Sequence, residues 1–162
     1  MPNAAPPDSA ASAPPSGGWQ HPRVVLAFDF GQRRIGVACG DTVSRSASPL
    51  DAVPAGKEGP RWELVDKLMR EWQPDLAVIG LPYNVDGSDS DMTSAARGFA
   101  AELKRRFSLE IALVDERYSS LEAEARLKSA RESGQRRRRV MPGDVDAAAA
   151  CVILERWFTE IT

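Results

Sequence analysis

The sequence predicts an α/β fold in which a mixed sheet of five strands is flanked by helices. Three observations lead to this prediction. Three strand-like segments follow one another near the start of the chain, as in an antiparallel meander. The segments after them alternate between helix and strand, as in βα units. The composition, with 162 residues of which 43% are hydrophobic and 27% charged, is that of an ordinary globular protein with a sizeable core.

Residues 1–22 are predicted to form a disordered tail, and residues 23–162 a single domain. The tail, MPNAAPPDSAASAPPSGGWQHP, consists mainly of Pro, Ala, Ser and Gly, so it cannot bury enough apolar surface to order itself. It has neither the basic start nor the apolar centre of a secretory signal. The only histidine, His21, ends the tail and is interpreted as a solvated residue, which removes histidine from the candidate catalysts.

The remainder of the chain indicates a cytoplasmic protein. Cys39 and Cys151 both lie in apolar runs, which favours buried free thiols in a reducing compartment over a disulfide. No apolar run approaches the ~20 residues that a helix needs to span a bilayer, so we expect no membrane as a partner.

The first three predicted elements are strands. RVVLAFDF, residues 23–30, is rich in Val, Leu and Phe and is typical of a buried strand. RIGVACG, residues 34–40, follows after a short turn that contains Gly31, so the two segments are expected to form a hairpin. A third strand is predicted over residues 44–53, where Pro49 argues for an edge position or a bulge because proline cannot donate a ladder hydrogen bond.

Helices and strands alternate in the rest of the sequence. The helix after the meander is predicted to begin near Pro60, because apolar side chains recur at helical spacing from Trp62 to Trp72. A capping box formed by Ser119 and Glu122 predicts the start of a later helix. The other predictions are, in order, a strand over 74–82, a helix over 92–107, a strand over 110–116, a loop over 133–143 and a helix over 144–158.

Carboxylates occur at the ends of several predicted elements. They are Asp29 near the end of the first strand, Asp115 and Glu116 at the end of the last strand, and Asp144 and Asp146 at the start of the final helix. An unpaired charge in an apolar strand is costly unless a partner or a cation compensates it. If these acids converge at one edge of the sheet, hard oxygen ligands select Mg²⁺ or Mn²⁺. Two such ions ~3.5–4 Å apart activate a water molecule and stabilise the leaving oxygen of a phosphodiester.

Each of these acids also has a purely structural interpretation. Asp29 is in a position to cap the turn that follows it. Glu116 has a neighbouring partner in Arg117, and Asp144 and Asp146 are favourable charges at a helix N-terminus. The spacing of the acids does not decide between the two interpretations.

A basic segment precedes the final helix. Residues 126–139 contain seven Lys and Arg residues against the single acid Glu132. Arg136, Arg137, Arg138 and Arg139 come just before the helix that carries Asp146. A charge run is often only a solvated surface, but this position favours phosphate contacts, because a polyanion has to enter beside the proposed metal site.

A resemblance to a known family rests on four segments, FDFGQRRIGVACGD, VIGLPYNVDGS, VDERYSSLEAE and VDAAAACVILERWF. Any one of them is a weak signal, whereas four in the right order over residues 24–158 are specific. Together they resemble the YqgF (RuvX) family of pre-16S rRNA nucleases, which are related to Holliday junction resolvases. The resemblance implies an RNase H-like fold for everything except the tail.

The resemblance also implies the residues of the site. The metal-binding acids of the family fall on Asp29, Glu116 and Asp146. Asp144 is the second choice, because close relatives often carry a basic residue there. Phosphate or substrate contacts are implied for Arg33, Asn84, Arg97 and Arg117. Two departures from the family pattern concern these contacts and not the ligands: Gly98 stands where many relatives have Lys, and ERYSS replaces the commoner ERLST.

The resulting prediction is a cytoplasmic nuclease that uses two Mg²⁺ or Mn²⁺ ions to hydrolyse phosphodiester bonds of structured nucleic acid. The resemblance implies the 5′ end of precursor 16S rRNA as the substrate. One alternative is a branched-DNA (Holliday junction-like) resolvase or general DNA/RNA nuclease, for which branched or single-stranded DNA is the partner. The other is a non-catalytic module that binds RNA or a ribosome-associated partner. Formation of a homodimer is left open.

Overall fold

The computed structural model describes residues 23–84, 86–116, 125, 128 and 142–161. The predicted tail over residues 1–22, the capping box at Ser119 and Glu122 and residues 133–141 of the predicted loop lie outside these ranges. Pro142 and Gly143, which the prediction placed in the loop over 133–143, instead begin the final helix, where proline is favoured in the first turn. Ala125 and Lys128 are helical. A search of the described residues finds no helix that is long and apolar enough to cross a membrane.

A six-stranded mixed sheet forms the centre of the fold, with the strands in the order β4-β3-β2-β1-β5-β6. The strands are β1 (Val24–Phe30), β2 (Arg34–Asp41), β3 (Ala47–Gly56), β4 (Gly59–Pro60), β5 (Leu76–Leu81) and β6 (Glu110–Asp115). The antiparallel meander is formed by β1, β2 and β3, and the parallel part by β1, β5 and β6. The predicted count of five strands was wrong, because β4 is only two residues long and has no sequence pattern of its own.

The segment between the meander and the first helix differs from its prediction. Gly59 and Pro60 pair with the end of β3 instead of opening the helix. The third strand is correspondingly shifted to Ala47–Gly56. Pro49 lies where only β2 pairs with β3 among the described residues, which is the edge position that proline in a strand favours.

Besides the helical residues 125 and 128, the described ranges contain three helices that cover the sheet: α1 (Trp62–Trp72), α2 (Asp91–Phe107) and α3 (Pro142–Glu160). Ser90 caps α2, since its side chain accepts the N–H of Thr93 while the Thr93 hydroxyl accepts the N–H of Ser90. Val65 and Met69 of α1 are buried as the helical spacing predicts. Trp72 belongs to the same apolar pattern, but the helix ends there and its side chain is 38% exposed.

The two faces of the sheet have separate hydrophobic cores, and successive residues of β1 contribute alternately to one core and the other. Leu26 and Phe28 pack with residues of α1 and α2. Val25 and Ala27 pack with residues of α3. Because successive side chains of a strand point to opposite faces, every second residue of β1 faces α3. The candidate site lies where this α3 face reaches the carboxyl end of β1.

Candidate active site

Asp29 is the last residue but one of β1. By alternation it follows Val25 and Ala27 on the face that α3 covers. Its side chain is half-buried, and no residue in the described part of the chain donates a hydrogen bond to it. The interpretation of Asp29 as a cap of the following turn therefore has no hydrogen bond to support it within the described residues.

Glu116 follows β6 directly and extends the pairing of β6 with β5. Its backbone N–H donates to the carbonyl oxygen of Leu81 at 3.2 Å, and its side chain is buried. A Cβ atom on Gly80 would lie 2.9 Å from the Cγ of Glu116 and 2.5 Å from the Cδ1 of Ile153. Since Gly80 has no side chain, Glu116 lies against β5, the strand that separates β6 from β1.

Asp146 lies one turn inside α3, beyond the first turn that contains Asp144. Gly36 of β2 pairs with Asp29 in the β1–β2 register. A Cβ atom on Gly36 would overlap the carbonyl oxygen of Asp146, so the backbone of α3 approaches the sheet at a point that only glycine permits. This close approach brings the start of α3 beside Asp29.

Glu116 and Asp146 both act electrostatically on Asp29. Burial, the charge of Glu116 and the charge of Asp146 raise the pKa of Asp29 to about 8, with burial the largest cause. A carboxyl group with an ordinary pKa is ionised throughout the neutral range, whereas this one is held partly protonated there by its surroundings. The site therefore favours any positive charge that enters it.

The donor set suits a hard divalent cation, because all three groups are carboxylates. Across the described ranges no group of three or more His, Cys, Asp and Glu side chains is already arranged to hold a metal ion. The Asp146 carboxylate instead accepts a hydrogen bond from the Nε of Arg34 at 2.6 Å. The chemistry of the three acids fits the cation, and Arg34 balances the charge of one of them.

The interpretation as a favourable charge at a helix N-terminus fits Asp144 better than Asp146. Asp144 lies in the first turn of α3, where a negative charge stabilises the helix dipole. Asp146 lies beyond that turn and is engaged by Arg34. A partnership of Glu116 with Arg117 falls outside the described residues.

Three of the predicted phosphate contacts lie within the described residues, near the carboxyl ends of β1 and β5. Arg33 is exposed in the turn after β1. Asn84 follows β5, and its amide nitrogen donates to the Ser88 hydroxyl at 3.0 Å and to the Asp89 carbonyl at 3.2 Å, so it also holds the β5–α2 loop together. Arg97 of α2 is half-buried. Its Nη2 donates to the Tyr83 hydroxyl at 2.9 Å. Arg117, Arg136, Arg137, Arg138 and Arg139 lie outside the described residues.

Sequence reasoning missed three residues that shape the site, namely Arg34, Gly36 and Gly80. A signal for each was present. Glycines inside predicted strands indicate a close approach of another segment. A charged residue opening a buried strand indicates a partner from elsewhere in the fold. Neither signal identifies the partner, which is more than 100 residues away in the case of Arg34.

A family match and similar curated proteins both agree with the resemblance found in the sequence. Residues 23–160 match a family described as "RuvX: Holliday junction resolvase". Two curated relatives carry the name "Putative pre-16S rRNA nuclease", one from Edwardsiella ictaluri and one from Yersinia enterocolitica. Each is 49% identical to this chain over 138 residues, which cover 85% of this chain and 96% of the relative.

One solved structure, described as Thermus thermophilus RuvC in complex with a Holliday junction substrate, has a similar fold. It superimposes with a TM-score of 0.50 and is 15% identical in sequence, and the match covers 85% of this chain and 94% of that one. The predicted RNase H-like α/β class is confirmed, with the strand count corrected to six.

Proposed function

The chain belongs to the RuvX family of Holliday junction resolvases, a family of nucleases, and on that premise we propose that it cleaves the 5′ leader of precursor 16S rRNA with Mg²⁺ or Mn²⁺ bound to Asp29, Glu116 and Asp146. The relatives at 49% identity support the substrate by their name. Enzymes of the resolvase and nuclease class are generally dependent on divalent metal ions, which supports the cofactor. We further propose that the protein acts in the cytoplasm.

A single observation carries the catalytic part of the proposal. Asp29 is a carboxylate in a core strand, with its pKa raised to about 8 by burial and by Glu116 and Asp146, and no described residue donates a hydrogen bond to it. A purely structural acid is normally hydrogen-bonded or paired, because an uncompensated charge in this setting destabilises the fold. An acid of this kind beside the charges of Glu116 and Asp146 is understandable if the native site receives a cation.

The proposed role of each acid follows from its position in the fold. Asp29 is central, since its charge interacts with those of both other acids, and it therefore bridges the site. Glu116, from the end of β6, and Asp146, from α3, would complete the site. Divalent ions held by these acids would supply an activated water and would stabilise charge on the leaving oxygen of a phosphodiester. No side-chain nucleophile is required.

Binding of the polyanion is proposed to use seven arginines and one asparagine. They are Arg33, Asn84, Arg97, Arg117, Arg136, Arg137, Arg138 and Arg139. Support comes from the positions of the first three, around the turn after β1 and the loop after β5. Phosphate contacts fix a nucleic acid in register without selecting its sequence.

The four consecutive arginines have their own test. Each phosphate contact contributes a log–log salt slope of roughly −0.7 on single strands. Replacing all four by Ser is expected to flatten the salt dependence of binding by about one to three units, allowing for arginines without a contact. Turnover at low salt and saturating substrate should fall far less than in the acid variants. An unchanged slope would assign the four arginines to the solvated surface.

The proposed function is tested by comparing three substrates with the purified full-length protein. They are a transcript that carries the 5′ leader of 16S rRNA, a single-stranded DNA of the same sequence and a four-way DNA junction. Each is incubated with Mg²⁺, with Mn²⁺ and with excess chelator. We expect cleavage of the transcript with either metal and none after chelation. Cleavage that persists after exhaustive chelation would contradict the metal mechanism.

The remaining outcomes separate the alternatives. The family description favours branched DNA as a second candidate substrate, and preferential cleavage of the four-way junction would establish it. Tight binding of the transcript without turnover under any metal would indicate the non-catalytic RNA-binding module. Sedimentation of the same samples decides whether the active species is a homodimer.

A further inference from the structure

Arg34 makes the shortest ion pair of the described residues. Its Nε donates to the Oδ2 of Asp146 at 2.6 Å, across 112 residues of sequence. The Arg34 side chain is 40% exposed and that of Asp146 is 24% exposed, so the pair is partly shielded from solvent. No other hydrogen bond or ion pair connects either side chain to the described part of the protein. The contact is therefore specific to these two groups.

Strand β2 contacts Asp146 at two points. Arg34 is the first residue of β2 and lies two residues before Gly36, so both face α3. Gly36 touches the backbone carbonyl of Asp146, the residue whose side chain Arg34 holds. One strand thus fixes both the main chain and the side chain of Asp146.

The geometry leaves one carboxylate oxygen available. Arg34 binds Oδ2 through a single N–H, and no described residue donates to Oδ1 of Asp146. Ligands of metal ions are commonly oriented in this way, with one atom held by a hydrogen-bonding partner and another directed at the ion. Guanidinium groups suit the task because their N–H donors have fixed directions.

We propose that Arg34 is a positioning residue, which holds Oδ2 of Asp146 so that Oδ1 is directed at the divalent cation. This inference rests on the proposed function, since it assumes that Asp146 is a ligand. Arg34 lies in the segment FDFGQRRIGVACGD, but neither the predicted metal ligands nor the predicted phosphate contacts included it.

The alternative, that Arg34 is only a counter-ion of Asp146, predicts the opposite effect on metal binding. If Arg34 were only a counter-ion that occupies Asp146 until the metal displaces it, removing Arg34 would strengthen metal binding. Removing any positive charge near the site also favours a cation by Coulomb attraction. Only a positioning role predicts weaker metal binding after a positive charge has been removed.

Mn²⁺ binding is measured by isothermal titration calorimetry on the full-length protein without nucleic acid, for the wild type, Arg34→Gln and Arg34→Lys. Arg33→Gln is the matched control, because it removes the same charge at the adjacent, exposed position that does not touch Asp146. We expect Arg34→Gln to weaken Mn²⁺ binding about 10- to 100-fold, the usual effect of losing a partner of a metal ligand. Arg33→Gln should bind as the wild type does or slightly more tightly, and Arg34→Lys should retain more affinity than Arg34→Gln.

Each outcome decides a separate question. Equal or tighter Mn²⁺ binding by Arg34→Gln would overturn the positioning role while leaving the proposed function intact. Absence of Mn²⁺ binding by the wild type would overturn the proposed metal site, and the inference with it. If Arg34→Gln does not fold, as judged by its thermal melt, Arg34→Lys against Arg33→Lys decides, with weaker binding by Arg34→Lys expected and equal binding contradicting the role.

Discussion

The two faces of the sheet differ most at the carboxyl end of β1. On the face covered by α1 and α2, Phe28 and Phe30 meet Phe99 with ring centroids 5.4 and 5.2 Å apart, and Trp62 lies 5.6 Å from the same ring. On the other face the same strand presents Ala27 and then a carboxylate.

The contrast shows that β1 packs against large side chains on one face and allows close approach of a helix on the other. Large rings fill the space beneath α1 and α2. Small residues on the opposite face, with Gly36 as the extreme case, let the backbone of α3 come into contact with the sheet. Close approach of α3 is what brings Asp146 near Asp29. We therefore expect substitutions on the α3 face to affect the site, and substitutions of apolar core residues beneath α1 and α2 to affect stability alone.

The largest expected effect is loss of cleavage when an acid of the α3 face is neutralised. Asp29→Asn, Glu116→Gln and Asp146→Asn should each reduce the cleavage rate by more than about 100-fold, because loss of a ligand exceeds the effect of losing a ligand's partner. Asp66→Asn on α1 is the control, since it removes an exposed carboxylate paired only with Arg70. Full activity in any folded acid variant would remove that residue from the site.

Gly36→Ala should produce the next largest effect. The added methyl group meets a backbone atom of α3, which cannot rotate away, so the helix must shift. We expect a loss of about 1–3 kcal/mol in the free energy of unfolding, measured by urea denaturation. Each 1 kcal/mol corresponds to roughly 2–4 °C in melting temperature for a chain of this size. Unchanged stability would mean that the backbone of α3 does not contact β2 at Gly36 in solution.

The pH dependence of stability distinguishes Asp29 from an ordinary surface acid. Its pKa is about 8 in the folded protein and near 3.8 in the unfolded chain, so ionisation favours unfolding as the pH rises from about 4 to 8. In chelator, Asp29→Asn should therefore melt at a higher temperature than the wild type at neutral pH. The advantage should grow from pH 4 to 8 and be constant above pH 8. Parallel curves for the two proteins would show that Asp29 has an unshifted pKa.

The smallest expected effect is a gain in stability on the other side of the molecule. Gly98 lies exposed within α2, and nothing comes within 4 Å of a Cβ atom built on it. Gly98→Ala should increase the free energy of unfolding by roughly 0.5–1 kcal/mol, because alanine loses less backbone entropy in a helix. A loss of stability in the same urea titration that tests Gly36→Ala would mean that the surroundings of Gly98 are not open.

Periodicity made most of the fold predictable. Strands β1, β2, β5 and β6 were predicted within two residues of their observed ends, because buried apolar runs of this length are characteristic of strands. The pairing of β4 with β3 was not predictable, since two residues carry no period. Trp72 fitted the helical pattern of α1, but its exposure depends on where the neighbouring segments end.

The candidate site divides in the same way. The sequence by itself determined which acids stand at the ends of elements, because strand and helix patterns locate those ends. Only the tertiary structure decided that Asp29 and Asp146 approach each other, that Gly80 makes room for Glu116, and that Arg34 holds Asp146. The physical reason is that periodicity is a local property of the chain. Contacts across more than 100 residues depend on how closely α3 packs on the sheet.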